Sequence, residues 1–215
     1  MEPRIHLVRH AQSEHNVTHD RSQHDPPLTA LGEQQISELA EKFPYHDQVA
    51  VILTSPLRRT IQTALGGFSH ILDRTSPRIG GASGIENGAQ FEIYQQVQPT
   101  NGMPCNVGSK REILEKEFAG LDFSELSDTW MLKEGFYADT EETVAERGKA
   151  VRNHLASLVE KYKAQGGERR DIVLVGHGDT RDYVTGEGKV DWPRAGWASF
   201  HLVKVADGHR LELIS

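Results

Sequence analysis

Along this 215-residue chain, short apolar runs alternate with longer stretches whose apolar positions recur every three to four residues. Residues 5–8 read as a short buried strand, while residues 49–53 and 172–175 are continuous apolar runs, the pattern of strands covered on both faces. Between the first two runs a helix opens at Thr29, spaces Ile36, Leu39, Ala40 and Phe43 along one side, and ends at Pro44. The next helix starts at Ser55-Pro56, passes through Arg58, Arg59 and Thr63, and is predicted to stop at Gly66-Gly67. A long helix follows Asp139-Thr140-Glu141-Glu142, which resembles a capping box; it buries Val144, Val151, Leu155, Leu158, Val159 and Tyr162 and closes at Gly166-Gly167.

The remaining stretches are less regular. Residues 91–97 predict a third strand, 112–118 a short helix, and 198–205 with 211–214 a hairpin turned at Asp207-Gly208. Residues 73–90 are rich in Gly and Ser and predict a mobile surface excursion. Residues 119–139 form an irregular insertion bearing Phe123, Trp130, Phe136 and Tyr137, which either cover the sheet edge or cap a pocket. Strands alternating with helices predict a three-layer α/β/α sandwich with a mostly parallel central sheet. No repeat or linker breaks the chain, so residues 1–215 read as a single domain.

Composition narrows the classes. A formal charge of −7, with 37% hydrophobic and 26% charged residues, describes a globular chain and argues against a nucleic-acid partner. No apolar run reaches the length needed to cross a bilayer. Met1-Glu2-Pro3-Arg4 leads directly into a strand without the features of a signal peptide, so the expected location is the cytosol, and Asn16-Val17-Thr18 is a chance glycosylation sequon. Cys105 is the sole cysteine, which excludes intrachain disulfides and multi-cysteine zinc sites. His15 and His19 have the spacing of a helical metal pair but lack accompanying ligands, so no metal is expected; His6, inside a strand, reads as a packed core residue.

Chemistry concentrates where the strands end. Two apolar runs finish in Arg9-His10 and Gly176-His177-Gly178, and a helix start brings Arg58-Arg59. In open α/β sheets, ligands collect beyond the carboxyl ends of the strands. A fixed cation beside an imidazole suits the holding of a phosphoryl group and an attack on it.

The blocks Leu7-Val-Arg-His-Ala-Gln-Ser-Glu-His-Asn16, Pro27-Leu-Thr-Ala-Leu-Gly-Glu-Gln-Gln35, Thr54-Ser-Pro-Leu-Arg-Arg-Thr-Ile-Gln-Thr-Ala64 and Val173-Leu-Val-Gly-His-Gly178 occur in this order. Together they resemble the histidine phosphatase superfamily, of phosphoglycerate mutase-like fold. A fungal-type branch of small members is similar in Ala11, Pro104-Cys105, Gly108-Ser109, Leu121-Asp122-Phe123, Trp130, Lys133-Glu134-Gly135 and Gly196-Trp197-Ala198. The resemblance implies a metal-independent, cofactor-free phosphatase acting on a small organic phosphate. His10, as a neutral imidazole, would attack phosphorus to give a phosphohistidine. Arg9, Arg59 and a protonated His177 would surround the phosphoryl oxygens. Asn16, Gln12 and Gly178 would complete the substrate site, and Arg58 would face solvent.

One position departs from the family pattern. The general acid is usually a Glu on the loop after the third strand; counting back five residues from Pro104 reaches Pro99, which has no proton to give. Another carboxyl could substitute: Asp179, whose competing role is a helix N-cap, or else Glu92 or Glu187. Alternatively, the leaving group needs no acid, or the pocket serves other chemistry. That leaves three functional classes: a phosphatase, a repurposed biosynthetic enzyme using the cationic pocket on a carboxylate or carbonyl, and a non-catalytic phosphate-binding regulator. Trp192 and Trp197 read as packing residues, and Lys110-Arg111 as a solvated helix start.

Overall fold

The computed structural model describes residues 2–76, 84–186 and 192–214. Its sheet contains β1 (Arg4–Arg9), β2 (Val49–Thr54), β3 (Gln90–Ile93), β4 (Asp171–Gly176), β5 (Trp197–Val205) and β6 (Gly208–Leu213), in the order β3-β2-β4-β1-β5-β6. The first four strands pair in parallel, and β5 and β6 complete one edge as an antiparallel hairpin. The helices are α1 (Glu14–Thr18), α2 (Ala30–Lys42), α3 (Arg58–Phe68), α4 (Arg111–Glu117), α5 (Glu141–Gln165) and α6 (Gly178–Thr185). Among the described residues, no helix is long and apolar enough to cross a membrane.

Alternation along the central strands creates the three layers. Val8, Ile52, Val173 and Val175 point into one core, shared with Ile36 and Leu39 of α2 and Ile61 and Phe68 of α3. Ile5, Leu7, Val51, Leu53 and Leu174 point into the other, shared with Val151, Leu155 and Val159 of α5 and Val184 of α6. All six residues of β2 and of β4 are buried, as their unbroken apolar runs predict. His6 is enclosed as expected: it bonds Ser199 Oγ at 2.8 Å and Asp171 Oδ2 at 3.1 Å, and stacks on Tyr45.

Several boundaries move. α3 does not stop at Gly66-Gly67 but continues to Phe68, because these glycines let it lie close against α2. A Cβ at Gly66 would stand 2.1 Å from Ile36 Cδ1, and one at Gly67 would stand 3.0 Å from Leu39 Cδ2. β3 ends at Ile93, and the chain leaves the sheet through a single helical turn at Gln95–Val97. β6 begins at Gly208, which pairs with Val205, so the hairpin turns at Ala206-Asp207. The reciprocal partner of Thr140 at the start of α5 is Thr143, one residue beyond the predicted acidic pair. The ends of the 73–90 excursion are tied by Leu72–Ala89 and Asp73–Ile85 bridges, and its middle, 77–83, lies outside the described residues.

Of the aromatic insertion, Phe123 and Trp130 are fully buried in the core that contains α2 and α3. The Trp130 ring packs so closely that a Cβ at Gly108 would fall 1.8 Å from its Cη2. Tyr137 is half-buried and Phe136 exposed, and none of the four lines the cavity at the strand ends. Sheet packing, not pocket capping, is what the buried pair does. Trp192 is buried in the second core, Trp197 is half-buried against the first, and neither Lys110 nor Arg111 reaches the cavity.

Candidate active site

The centre of the sheet builds the site. β4 lies between β1 and β2, with Arg9 opposite Gly176 and Thr54 opposite Val175. The residues just past these strand ends, His10, His177 and Ser55, therefore stand side by side. Backbone bonds continue the register past the strands: His10 N–H to the Gly176 carbonyl at 2.9 Å, Ser55 N–H to the Val175 carbonyl at 3.1 Å. The His10 and His177 rings are 5.3 Å apart. They open into a cavity of about 480 Å³, within the usual range for a small-molecule site. Arg9, Asn16, Arg59, Gly178 and Asp179 also line it, so seven of the eight predicted site residues converge, counting the two histidines.

His10 donates from Nδ1 to the carbonyl of Ala11 at 2.7 Å. A carbonyl only accepts, so the proton sits on Nδ1 and the lone pair on Nε2. Burial, and next the charge of Arg59, holds its pKa well below 6.5, so the ring is neutral at physiological pH. A neutral imidazole with a fixed tautomer is a nucleophile without further preparation.

His177 corrects an expectation. Arg59 Nη2 donates to its Nδ1 at 3.2 Å, and its Nε2 bonds Ser55 Oγ at 3.0 Å. A guanidinium cannot accept, so Nδ1 carries no proton. Burial and the Arg59 charge hold the His177 pKa well below 6.5 as well. His177 is thus a neutral ring donating from Nε2, not the imidazolium that the resemblance implies.

Arg59 is only 1% exposed and is fixed on three sides: Nη1 donates to the Cys105 carbonyl at 2.8 Å, Nη2 to Asn106 Oδ1 at 3.0 Å and to His177. Burial lowers its pKa to about 10, which still leaves it cationic. Arg9 is anchored by the Trp192 carbonyl and by its own N–H to the Gly196 carbonyl at 3.0 Å. Arg58 points away and pairs with Glu117 at 2.8 Å, as expected.

Pro99 does line the cavity where the family pattern has its acid. Beside it, Asp179 Oδ2 accepts from Thr100 N–H at 2.7 Å and from the Thr100 hydroxyl at 3.1 Å. The N-cap of α6 is His177, which excludes the capping role for Asp179, the second residue of that helix. Its carboxylate is turned to the Pro99-Thr100 strap instead. Glu92 is overturned as a substitute acid: it bonds His154 Nε2 at 2.8 Å and lies outside the cavity. Glu187 lies outside the described residues. Lys133 braces the strap from behind, donating to Gln98 Oε1 at 2.6 Å and to the Pro99 carbonyl at 2.7 Å.

Gln12 is the predicted site residue that does not join. Its Oε1 accepts from the Thr29 hydroxyl at 2.8 Å and its carbonyl from Thr29 N–H at 3.0 Å, so it fastens the start of α2. Asn16 lines the cavity while its Nδ2 bonds His15 Nε2 at 2.9 Å. His15 also bonds Ser13 Oγ at 2.8 Å, which engages both ring nitrogens, and α1 ends before His19. Among the described residues, no group of three or more His, Cys, Asp or Glu side chains could hold a metal ion.

Sequence reasoning missed Asp25, Asn106, Arg21 and Arg194. Asp25 is fully buried; it takes Arg58 N–H at 3.1 Å, Ser109 N–H at 3.0 Å and the Ser109 hydroxyl at 2.8 Å, and so joins the start of α3 to the segment that holds Arg59. An acidic residue beside Pro26-Pro27 was its only signal. Arg21 and Arg194 line the cavity from loops, which hydrophobic periodicity does not locate.

Comparison with known proteins places this geometry. The model of the histidine phosphatase superfamily (branch 1) matches residues 5–69, the segment holding Arg9, His10 and Arg59. A probable phosphatase of Schizosaccharomyces pombe is 29% identical over 179 residues, covering 79% of this chain and 76% of its own. A phosphoglycerate mutase-like protein of Arabidopsis thaliana is 30% identical over 171 residues, covering 67% of this chain and 62% of its own, so the match spans under two thirds of that relative. The structure of a mycobacterial glucosyl-3-phosphoglycerate phosphatase superposes over 99% of this chain and 97% of its own, with a TM-score of 0.59 at 20% identity. The strand order, the paired histidines and these likenesses agree: residues 5–69 match the histidine phosphatase superfamily (branch 1), and the chain as a whole is similar in fold to the mycobacterial phosphatase.

Proposed function

We propose that the protein is a phosphatase of small organic phosphates that works through a phosphohistidine at His10. The observation that supports this most is the His10 ring, neutral and with Nε2 as its lone-pair nitrogen, beside Arg59 and His177. Nε2 attacks phosphorus as the bond to the leaving oxygen breaks in line. Arg9 and Arg59 face the phosphoryl oxygens, with His177 Nδ1 holding Arg59 in place; donors already in place as charge redistributes are worth roughly 3 kcal/mol each. The arginines supply the positive charge, so the reaction requires no metal.

Asp179 is the proton donor in this reading. Thr100 holds Oδ2, which leaves Oδ1 for the proton that passes to the leaving oxygen. The resulting carboxylate then takes a proton from water as that water attacks the phosphohistidine, releasing inorganic phosphate and restoring His10. A generic aryl phosphate should be turned over by the wild type and not by His10→Ala; inertness of the wild type would overturn the reading. Asp179→Asn should slow alkyl phosphates, whose leaving oxygens need a proton, far more than aryl phosphates. Equal slowing of both would remove Asp179 from the acid role.

A further inference from the structure

We propose that Arg194 and Arg21 form a second anion subsite, so that the preferred substrate is a phosphomonoester carrying a further anionic group, a carboxylate or a second phosphate, on its leaving portion. This rests on the phosphatase reading of the same cavity and narrows it to a substrate class.

The cavity holds more positive charge than one phosphoryl group uses. Four arginines line it, Arg9, Arg21, Arg59 and Arg194, against one carboxyl group, that of Asp179. Arg9 and Arg59 lie at the strand ends with the two histidines, which assigns them to the phosphoryl group. Arg194 and Arg21 remain. Among the described residues, Arg194 Nε is buried without a hydrogen-bond partner. Arg21 Nη1, among the described residues, reaches only Met103 Sδ, at 3.4 Å, a weak acceptor. Among the described residues, neither guanidinium forms an ion pair. A buried guanidinium nitrogen with no acceptor is costly, and a carboxylate or phosphate matches its fork.

The cavity is also polarised. Asp179 stands with the Pro99-Thr100 strap. Arg194 and Arg21 stand towards His15, close enough that, after burial and Arg59, their charges help press its pKa to about 4. With both ring nitrogens held by Ser13 and Asn16, His15 stays neutral and leaves the arginines as the cations of that wall. A second anion on the leaving portion is drawn to the arginines, away from the Asp179 side of the cavity. It thereby turns the leaving oxygen towards the proton donor.

Binding tests this without requiring turnover. Titration calorimetry of the wild type should compare butylphosphonate with 3-phosphonopropionate, which adds a carboxylate, and with propane-1,3-diyl bisphosphonate, which adds a second phosphonate. Either charged ligand should bind about 10–100-fold more tightly than butylphosphonate, and the tighter of the two identifies the group. Arg194→Gln, or Arg21→Gln where the first does not fold, should shrink that ratio several-fold. Equal affinity for all three ligands in the wild type overturns the subsite, and a ratio untouched in folded variants overturns the assignment to these arginines. If the preference appears while aryl phosphates remain inert, the subsite stands and the phosphatase reading falls.

Discussion

Acidification should destabilise the protein through the two histidines of the site. Both His10 and His177 are under 5% exposed and are held neutral well below the usual 6.5. The sign follows from linkage. Above pH 6.5 neither the folded nor the unfolded chain protonates these rings, and stability is unaffected. Below it the unfolded chain binds protons that the folded chain does not, so stability falls until the depressed folded value is reached. At pH 5.5 each ring costs about 1.4 kcal/mol and the two together about 3 kcal/mol. For a chain of this size that lowers Tm by roughly 6–12 °C. Urea unfolding at pH 7.5 and 5.5 in phosphate-free buffer measures the difference, provided that m stays constant. His6, His15 and His70 also titrate low, so the attribution requires variants. His10→Gln and His177→Gln should each remove about 1.4 kcal/mol of the pH dependence. A variant with the full wild-type dependence would show that its ring protonates in the folded protein, and the neutral nucleophile would be lost with it.

Three further outcomes follow. Arg59→Lys keeps the charge but cannot reproduce bonds to Cys105, Asn106 and His177 at once; kcat/KM for an aryl phosphate should fall by about 10²–10³, and a loss below about tenfold would deny Arg59 its role. Gly108→Ala forces a methyl into the buried Trp130 ring and should cost about 1–3 kcal/mol, with a red shift in tryptophan emission; unchanged stability and emission would mean that the contact is not close. Cys105 is 2% exposed and burial pushes its thiol pKa up, so alkylation at neutral pH should be at least about a hundredfold slower than in denaturant; a comparable rate would contradict that burial.

The sheet and its anion cradle were legible in the sequence because they obey short-range rules. Continuous apolar runs at β2 and β4 mark strands buried on both faces, and the residues ending β1 and β4 had to meet once those strands paired. Residues 54–64 placed the Arg58-Arg59 pair at a helix start directly after such a strand, and the family resemblance singled out Arg59. What stayed hidden depends on contacts between distant segments. The neutrality of His177 comes from its burial and then from Arg59, 118 positions away. The anchoring of Asp179 comes from Thr100 across 79 positions, and the brace on Pro99 from Lys133 across 34. Gly66-Gly67 carry the usual stop signal, but close packing on α2 overrode it. Gln12 sits inside a recognisable motif yet serves the start of α2, because motif membership does not say which way a side chain turns.

The central claim is that His10 Nε2 takes the phosphoryl group. Rapid quench of the wild type with an aryl phosphate into alkali, followed by peptide mass spectrometry, tests it directly, because phosphohistidine survives base and is lost in acid. The account predicts one phosphoryl group on the peptide containing His10, formed within the first turnover and absent from His10→Ala. Turnover with no phosphorylated peptide, or with the label on another residue, would contradict it.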